Sequence, residues 1–185
     1  MRVLGIGSSP RKGNTDYLLG LTLSEFERLG YEVEMALLRN LNIQICDGCL
    51  TCEKTGKCHI SDDMSEMYKK LEEANIIVFA TPCYFENVSS LLKIFIDRTC
   101  PCYYWPNKFR RKGLVLLVAG EIEDESKENT INYAKTYAII MEMNFLGSLW
   151  KTAKNADELV KDQNVTDEII SFVRDIDTRF RNSLR

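Results

Sequence analysis

"VLGIGSSPRKGNT", residues 3–15, decides the fold. Val3-Leu4-Gly5-Ile6 is a short apolar run ending in small and turn-forming residues. Leu19, Leu23 and Phe26 follow at i, i+4 and i+7, one face of a helix, and Gly30 is placed to end it. A strand running through a polar loop into a helix suits phosphate. Ser8, Ser9 and Thr15 carry hydroxyls, Asn14 an amide and Arg11 a charge, while the helix start offers free N–H groups. Two better-known loops are excluded. Gly5-x-Gly7 begins a dinucleotide fingerprint, but its third glycine position is Pro10. Lys12-Gly13-Asn14-Thr15 is not the Gly-Lys-Ser/Thr of a nucleotide P-loop. A polar loop with no ligand is the alternative reading.

The same alternation continues outward from this stretch. Val33, Met35 and Leu37 alternate as a half-exposed edge strand does. Asp62 or Asp63 opens a helix, and Glu66 would complete a capping box with Asp63. Ile76–Ala80 and Leu114–Ala119 are continuous apolar strands. Val88, Leu91, Leu92, Phe95 and Ile96 stripe a helix between them. A helix over 127–142, a strand over 145–150 and a helix striped by Ile169, Val173, Ile176 and Phe180 close the chain. Apolar strands alternating with amphipathic helices predict one α/β domain over residues 1–185. Its core is a doubly wound, five-stranded parallel sheet of order 2-1-3-4-5, with a cysteine-rich insertion over 44–60 after the second strand. In such sheets a ligand sits at the switch point between the first and third strands, where the 8–15 loop lies.

Composition excludes several classes. With 185 residues, 45% hydrophobic and 28% charged, the chain can bury a full core. Its net charge is −3, and the Lys108/Arg110/Arg111/Lys112 cluster is too small for a nucleic-acid footprint. The apolar run after Met1-Arg2 is too short for a signal-peptide core, and none approaches the roughly 20 residues of a membrane span. A soluble, cytoplasmic protein is expected, with neither nucleic acid nor membrane as partner. His59 is the only histidine, which rules out a histidine-rich zinc site.

The seven cysteines are odd in number, and no export signal is present, so a structural disulfide framework is not expected. "QICDGCLTCEKTGKCH", residues 44–59, spaces Cys46, Cys49, Cys52 and Cys58 as C-x2-C-x2-C-x5-C. Three thiols from a tight loop and a fourth farther on suit a [4Fe–4S] cluster. Structural zinc more often uses two separated C-x2-C knuckles, and bare thiols would need only one such pair. Spacing favours the cluster and leaves the other two open.

"GSSPRKGNT", residues 7–15, resembles the phosphate loop of the NADPH-dependent FMN reductase and flavodoxin-like reductases, with one residue fewer between Arg11 and Gly13. "FATPCYFENVSSLLKIFIDR", residues 79–98, is similar to the second flavin loop of that family. The C-x2-C-x2-C-x5-C run resembles the compact motif of the iron–sulfur flavoproteins. The resemblance implies FMN bound by Ser8, Ser9, Pro10, Arg11, Asn14 and Thr15 at the phosphate. Pro82, Cys83, Tyr84, Phe85 and Asn87 would lie at the ring, and Gly120 in a third loop. That third loop, "AGEIEDES" at 119–126, departs from the glycine-rich family form, and its acids Glu121, Glu123, Asp124 and Glu125 suit a solvated loop. The resemblance further implies a [4Fe–4S] cluster on Cys46, Cys49, Cys52 and Cys58. It also implies a homodimer or homotetramer, and electron transfer between ferredoxin or NAD(P)H and an acceptor. An NAD(P)H-dependent FMN or quinone reductase without a cluster, and a non-catalytic flavodoxin-like carrier, are the alternatives. Cys83 reads as small apolar filler or a reactive thiol. Cys100 and Cys102 have no assigned role, Tyr103, Tyr104 and Trp105 suggest an oligomer contact, and His59 reads as a surface residue.

Overall fold

The computed structural model describes residues 1–105, 108–121 and 124–185. Strand β1 (Arg2–Gly7) leads through the 8–13 loop into helix α1 (Asn14–Arg28). Strand β2 (Glu32–Leu37) and a 3-10 turn at Leu38–Asn40 follow. The cysteine segment holds one short helix, α2 (Thr51–Thr55), before α3 (Met64–Glu73) leads into β3 (Ile76–Tyr84). Strand β4 (Asn87–Val88) folds back on β3, and α4 (Ser90–Arg98) runs into the short α5 (Cys100–Tyr103). β5 (Gly113–Gly120), α6 (Asp124–Ile140), β6 (Asn144–Thr152), α7 (Glu158–Lys161) and α8 (Val165–Ser183) complete the order.

The long strands are parallel, in the order β2-β1-β3-β5-β6. With β4 set aside, this is the expected 2-1-3-4-5 sheet. The small β4 had no sequence signal. Its hairpin turns on Phe85 and Glu86, both left-handed at φ 47° and 59°, a geometry that Asn-Gly pairs usually supply.

Alternation along β1 divides the core into two layers. Val3 faces the layer of Leu19, Phe26, Ile176 and Phe180 from α1 and α8. Leu4 and Ile6 face the layer of Leu71, Phe95 and Tyr137 from α3, α4 and α6. Phe79 meets Phe95 edge to face at 6.3 Å in that second layer. Burying each such ring contributes roughly 1.5–3 kcal/mol, so the sheet is held from both sides.

Helix ends show one expectation met and one replaced. Gly30 (φ 86°) ends α1: the Gly30 and Tyr31 N–H groups donate to the Glu27 and Phe26 carbonyls, and Tyr31 packs edge to face on Phe26. The capping box at α3 does not form. Glu66 pairs with Lys69, and Asp63 accepts the Asn42 N–H instead. Asp62 takes the Met64 N–H (3.1 Å), because both carboxylates are drawn toward the incoming loop.

Candidate functional site

At the C-terminal strand ends a crevice of about 200 Å³ opens between the 8–13 loop, the end of β3 and the loop after β6. Ser9, Arg11, Asn14, Thr15, Pro82, Cys83, Tyr84 and Gly120 line it. A larger apolar pocket of about 670 Å³ adjoins it across Cys83 and Tyr84, and Phe85 and Asn87 line that one. Of the twelve residues expected here, Pro10 lines neither space, and Ser8 is buried beneath. Gly13, the N-cap of α1, offers no side-chain cap, so the first N–H groups of the helix remain available at the crevice. The side chain of Asn14 is engaged within the protein. Its amide donates to the Asn155 carbonyl (2.6 Å), and its oxygen accepts the Leu159 N–H (3.1 Å). It therefore braces the opposite wall. Lys154 of that wall, paired with Glu121 at 3.4 Å, adds a positive charge that sequence reading missed. Glu123 lies outside the described residues, as does the side chain of Asp124.

A buried polar network fixes this corner. The Ser8 hydroxyl donates to the Ala80 carbonyl (3.0 Å), and the Ser89 hydroxyl donates to the Ser8 carbonyl (2.8 Å). The Ser89 N–H reaches the Thr81 hydroxyl (3.0 Å), and the Ser89 oxygen caps α4 through the Leu92 N–H (3.3 Å). The sequence pattern hides this cap, because Val88 extends the apolar stripe past it; Val88 lies on β4, and the helix begins only after Ser89.

The second constellation is a cage of thiols. Gly48 and Leu50 are both left-handed, at φ 71° and 59°, so the chain doubles back tightly between successive cysteines. Gly tolerates that conformation; Leu50 holds it at a cost of about 1–2 kcal/mol. Cys46, Cys49, Cys52 and Cys58 line one small cavity of about 40 Å³. A fifth thiol joins them: Cys100, at the start of α5, whose sulfur lies 3.6 Å from that of Cys52. Burial first, then the contact with Cys52, pushes the Cys100 thiol up to about 11. On the rim Asp47 meets His59 Nε2 (2.8 Å) and the Cys49 N–H (3.1 Å). The Cys49 contacts lead, with His59 after them, in holding the Asp47 carboxyl below its ordinary range.

One ion pair anchors the cage loop. Arg98 and Asp62 have fully buried side chains and meet in a bidentate contact of 2.6 and 3.0 Å. Both also grip the loop at Gln44, Asp62 by its N–H (2.8 Å) and Arg98 by its carbonyl (2.7 Å). Burial is the largest influence on Asp62 and opposes its charge. The Arg98 guanidinium with the Gln44 and Met64 N–H groups outweighs it, so the carboxyl lies below its ordinary value. Trp105 donates to the Gly56 carbonyl (2.8 Å) and meets Tyr68 edge to face, so it ties the end of α2 to the body of the fold, while Tyr103 stays exposed. Cys102 is buried, with its thiol pushed up chiefly by burial. Cys83 lies 3.7 Å from the Thr130 hydroxyl. In the basic cluster, Lys108 pairs with Glu72 (2.6 Å) and buried Lys112 holds the Glu72 carbonyl (2.7 Å), which ties both into the fold.

A family model described as NADPH-dependent FMN reductase matches residues 1–158. An iron–sulfur flavoprotein of Archaeoglobus fulgidus is 37% identical over 134 residues, 71% of this chain and 61% of its own length. Iron–sulfur flavoprotein MJ1083 of Methanocaldococcus jannaschii is 34% identical over 154 residues, 83% of this chain and 79% of its own. Among solved structures, a flavodoxin, WrbA-like protein from Agrobacterium tumefaciens matches 97% of this chain and 98% of its own with a TM-score of 0.66. At 16% identity that likeness shows the fold, a flavodoxin-like one. The chain thus belongs to the NADPH-dependent FMN reductase family of flavin-dependent oxidoreductases, in the company of the iron–sulfur flavoproteins.

Proposed function

We propose that the protein is an FMN-dependent electron-transfer enzyme whose cysteine cage holds a [4Fe–4S] cluster. It would work between NAD(P)H or reduced ferredoxin and an acceptor. The observation that carries this reading is the convergence of thiols on one cavity at the far end of the helix that starts at the crevice. Helix α4 is capped by Ser89 in the switch-point network and ends at Arg98, which lines the cage. Its nine residues extend about 13 Å.

The residues fit FMN. Ser9, Arg11, Thr15 and the open N–H groups of α1 would hold the phosphate. Tyr84, Phe85, Val88 and Tyr133 offer the ring an apolar wall. Burial, helped by Asp97, pushes the Tyr133 hydroxyl up to about 12, so it keeps its proton and can donate one hydrogen bond into the pocket. The donor set also fits a cluster, being sulfur throughout, with Cys46, Cys49, Cys52 and Cys58 as ligands and the buried Arg98 charge alongside. When bound, FMN exchanges one or two electrons and a [4Fe–4S] cluster one at a time. The thiols must lose their protons to serve as ligands, so loading releases acid.

A second reading, an FMN or quinone reductase with bare thiols, is favoured by the size of the cage. About 40 Å³ has room for about three waters at roughly 10–15 Å³ each, less than an eight-atom cubane core takes up. The exposed Cys46 and Cys49 would have to swing outward. Anaerobic purification decides between the two. The first reading expects one FMN and about four irons with equal sulfide per chain. Flavin with iron near zero leaves the second, and absence of flavin sinks both. Bleaching of the flavin by NAD(P)H or by reduced ferredoxin then names the donor, and bleaching by ferredoxin alone supports a carrier role.

A further inference from the structure

The cage has one thiol more than a four-iron cluster can use, and the surplus is not spread evenly. Cys52 and Cys100 come from elements 48 residues apart, yet their sulfurs lie 3.6 Å from each other. Both are half-buried against the same cavity wall, where Arg98 and Pro101 also sit. The remaining cysteines stand apart from it. Cys102 packs into the core beside Phe109, and Cys83 lies on β3 beside Thr130. The irons of a cubane sit at separate corners, and their terminal sulfurs radiate away from one another. Two sulfurs in hydrogen-bond contact therefore address a single corner.

We propose that Cys52 and Cys100 form a shared-corner pair, in which one thiolate binds the iron and the other thiol donates its S–H to the bound sulfur. This rests on the cluster reading above. In the intact chain Cys52 is the ligand, since its neighbours Cys46 and Cys49 arrive on the same tight loop, and Cys100 is the hydrogen-bond donor. Without Cys52, the Cys100 thiol gives its proton to solvent and its sulfur forms the iron bond. Hydrogen bonds to cluster sulfurs raise the reduction potential, so the donor also tunes the centre.

The test uses full-length protein loaded anaerobically, read by iron and sulfide content, by the electron paramagnetic resonance of the reduced centre and by its redox titration. FMN content serves as the folding control. Cys46→Ala, whose corner has no reserve, is expected to lose most of its iron. Cys52→Ala is expected to keep nearly all of it, and Cys52→Ala with Cys100→Ala to lose it. Cys100→Ala alone should keep its iron but titrate at a lower potential with an altered resonance. Loss of iron from Cys52→Ala equal to that from Cys46→Ala, with flavin retained, overturns the pair. So does a Cys100→Ala protein with wild-type resonance and potential. An iron-free wild-type chain instead overturns the cluster reading and takes the pair with it, so the two failures are told apart by the wild-type sample alone.

Discussion

The crevice and the cage are built on opposite principles. Around the crevice, β1, β3 and the start of α4 meet through hydrogen bonds that join Ser8, Ala80, Thr81 and Ser89; Ala80 and Thr81 lie within β3, and Ser8 and Ser89 directly adjoin β1 and α4. The loss of one leaves the sheet ladder intact. The cage loop lies outside the sheet and has one short helix of its own. Its buried anchorage concentrates on the Asp62–Arg98 pair and their grip on Gln44. A site cut into a sheet inherits the stability of the fold; a site on an insertion depends on few contacts. The two should therefore answer differently to the same severity of mutation.

The largest effect is expected at the anchor. Arg98→Met leaves Asp62 buried without its counter-charge and should cost about 3–5 kcal/mol in urea unfolding, with faster alkylation of the cage thiols. A cost under about 1 kcal/mol would falsify the single-anchor description. The same pair predicts an acid dependence. Asp62 has a lowered native pKa, so its contribution is complete above the ordinary value of 3.8 and is lost as pH falls toward the native value. Unfolding free energy should drop by up to about 1.4 kcal/mol per pH unit across that window, and Asp62→Asn should flatten that slope. Next, Ser89→Ala removes a helix cap and a buried donor from the crevice side, at about 1–2 kcal/mol. Thiol alkylation in the cage should not change; an acceleration there would join the two regions that this comparison separates. The smallest effect is at the β3–β4 turn. Phe85→Asn with Glu86→Gly relieves two left-handed residues and should stabilise the fold by about 1 kcal/mol. If Phe85 packs on the ring of FMN, the same change should weaken flavin retention, as equilibrium dialysis would show.

Sequence reading reached furthest where chemistry repeats at short range. The strand runs, the helix stripes, the Gly30 cap and the 8–15 loop are local patterns found close to where they were expected, except that Val88, read into a helix stripe, sits on β4 before that helix begins. The four clustered cysteines were legible for the same reason. Cys100 was not, since its partner Cys52 lies 48 positions away and only α4 and α5 bring them together. Asp62 read as a helix-opening residue and Arg98 as the end of a motif. Their pairing needs both loops folded. Asn14 illustrates a subtler limit: residue type marks it as a donor, but the wall after β6 takes both ends of its amide. The hairpin turn was illegible because Phe85-Glu86 contradicts the residue preferences of its own geometry.

The thiols of the cage grade from open to sheltered: Cys46 and Cys49 exposed, Cys52, Cys58 and Cys100 half-covered. Chemical ageing in air would follow that gradient, entering at the rim formed by the first two cysteines and reaching the sheltered sulfurs last. On the proposed cluster reading, the side of the cage with a fifth thiol is the sheltered one, so any reserve there would protect the corner that oxidants reach last. The durability of such a centre would then be set by Cys46 and Cys49 at its mouth, which have no second thiol beside them.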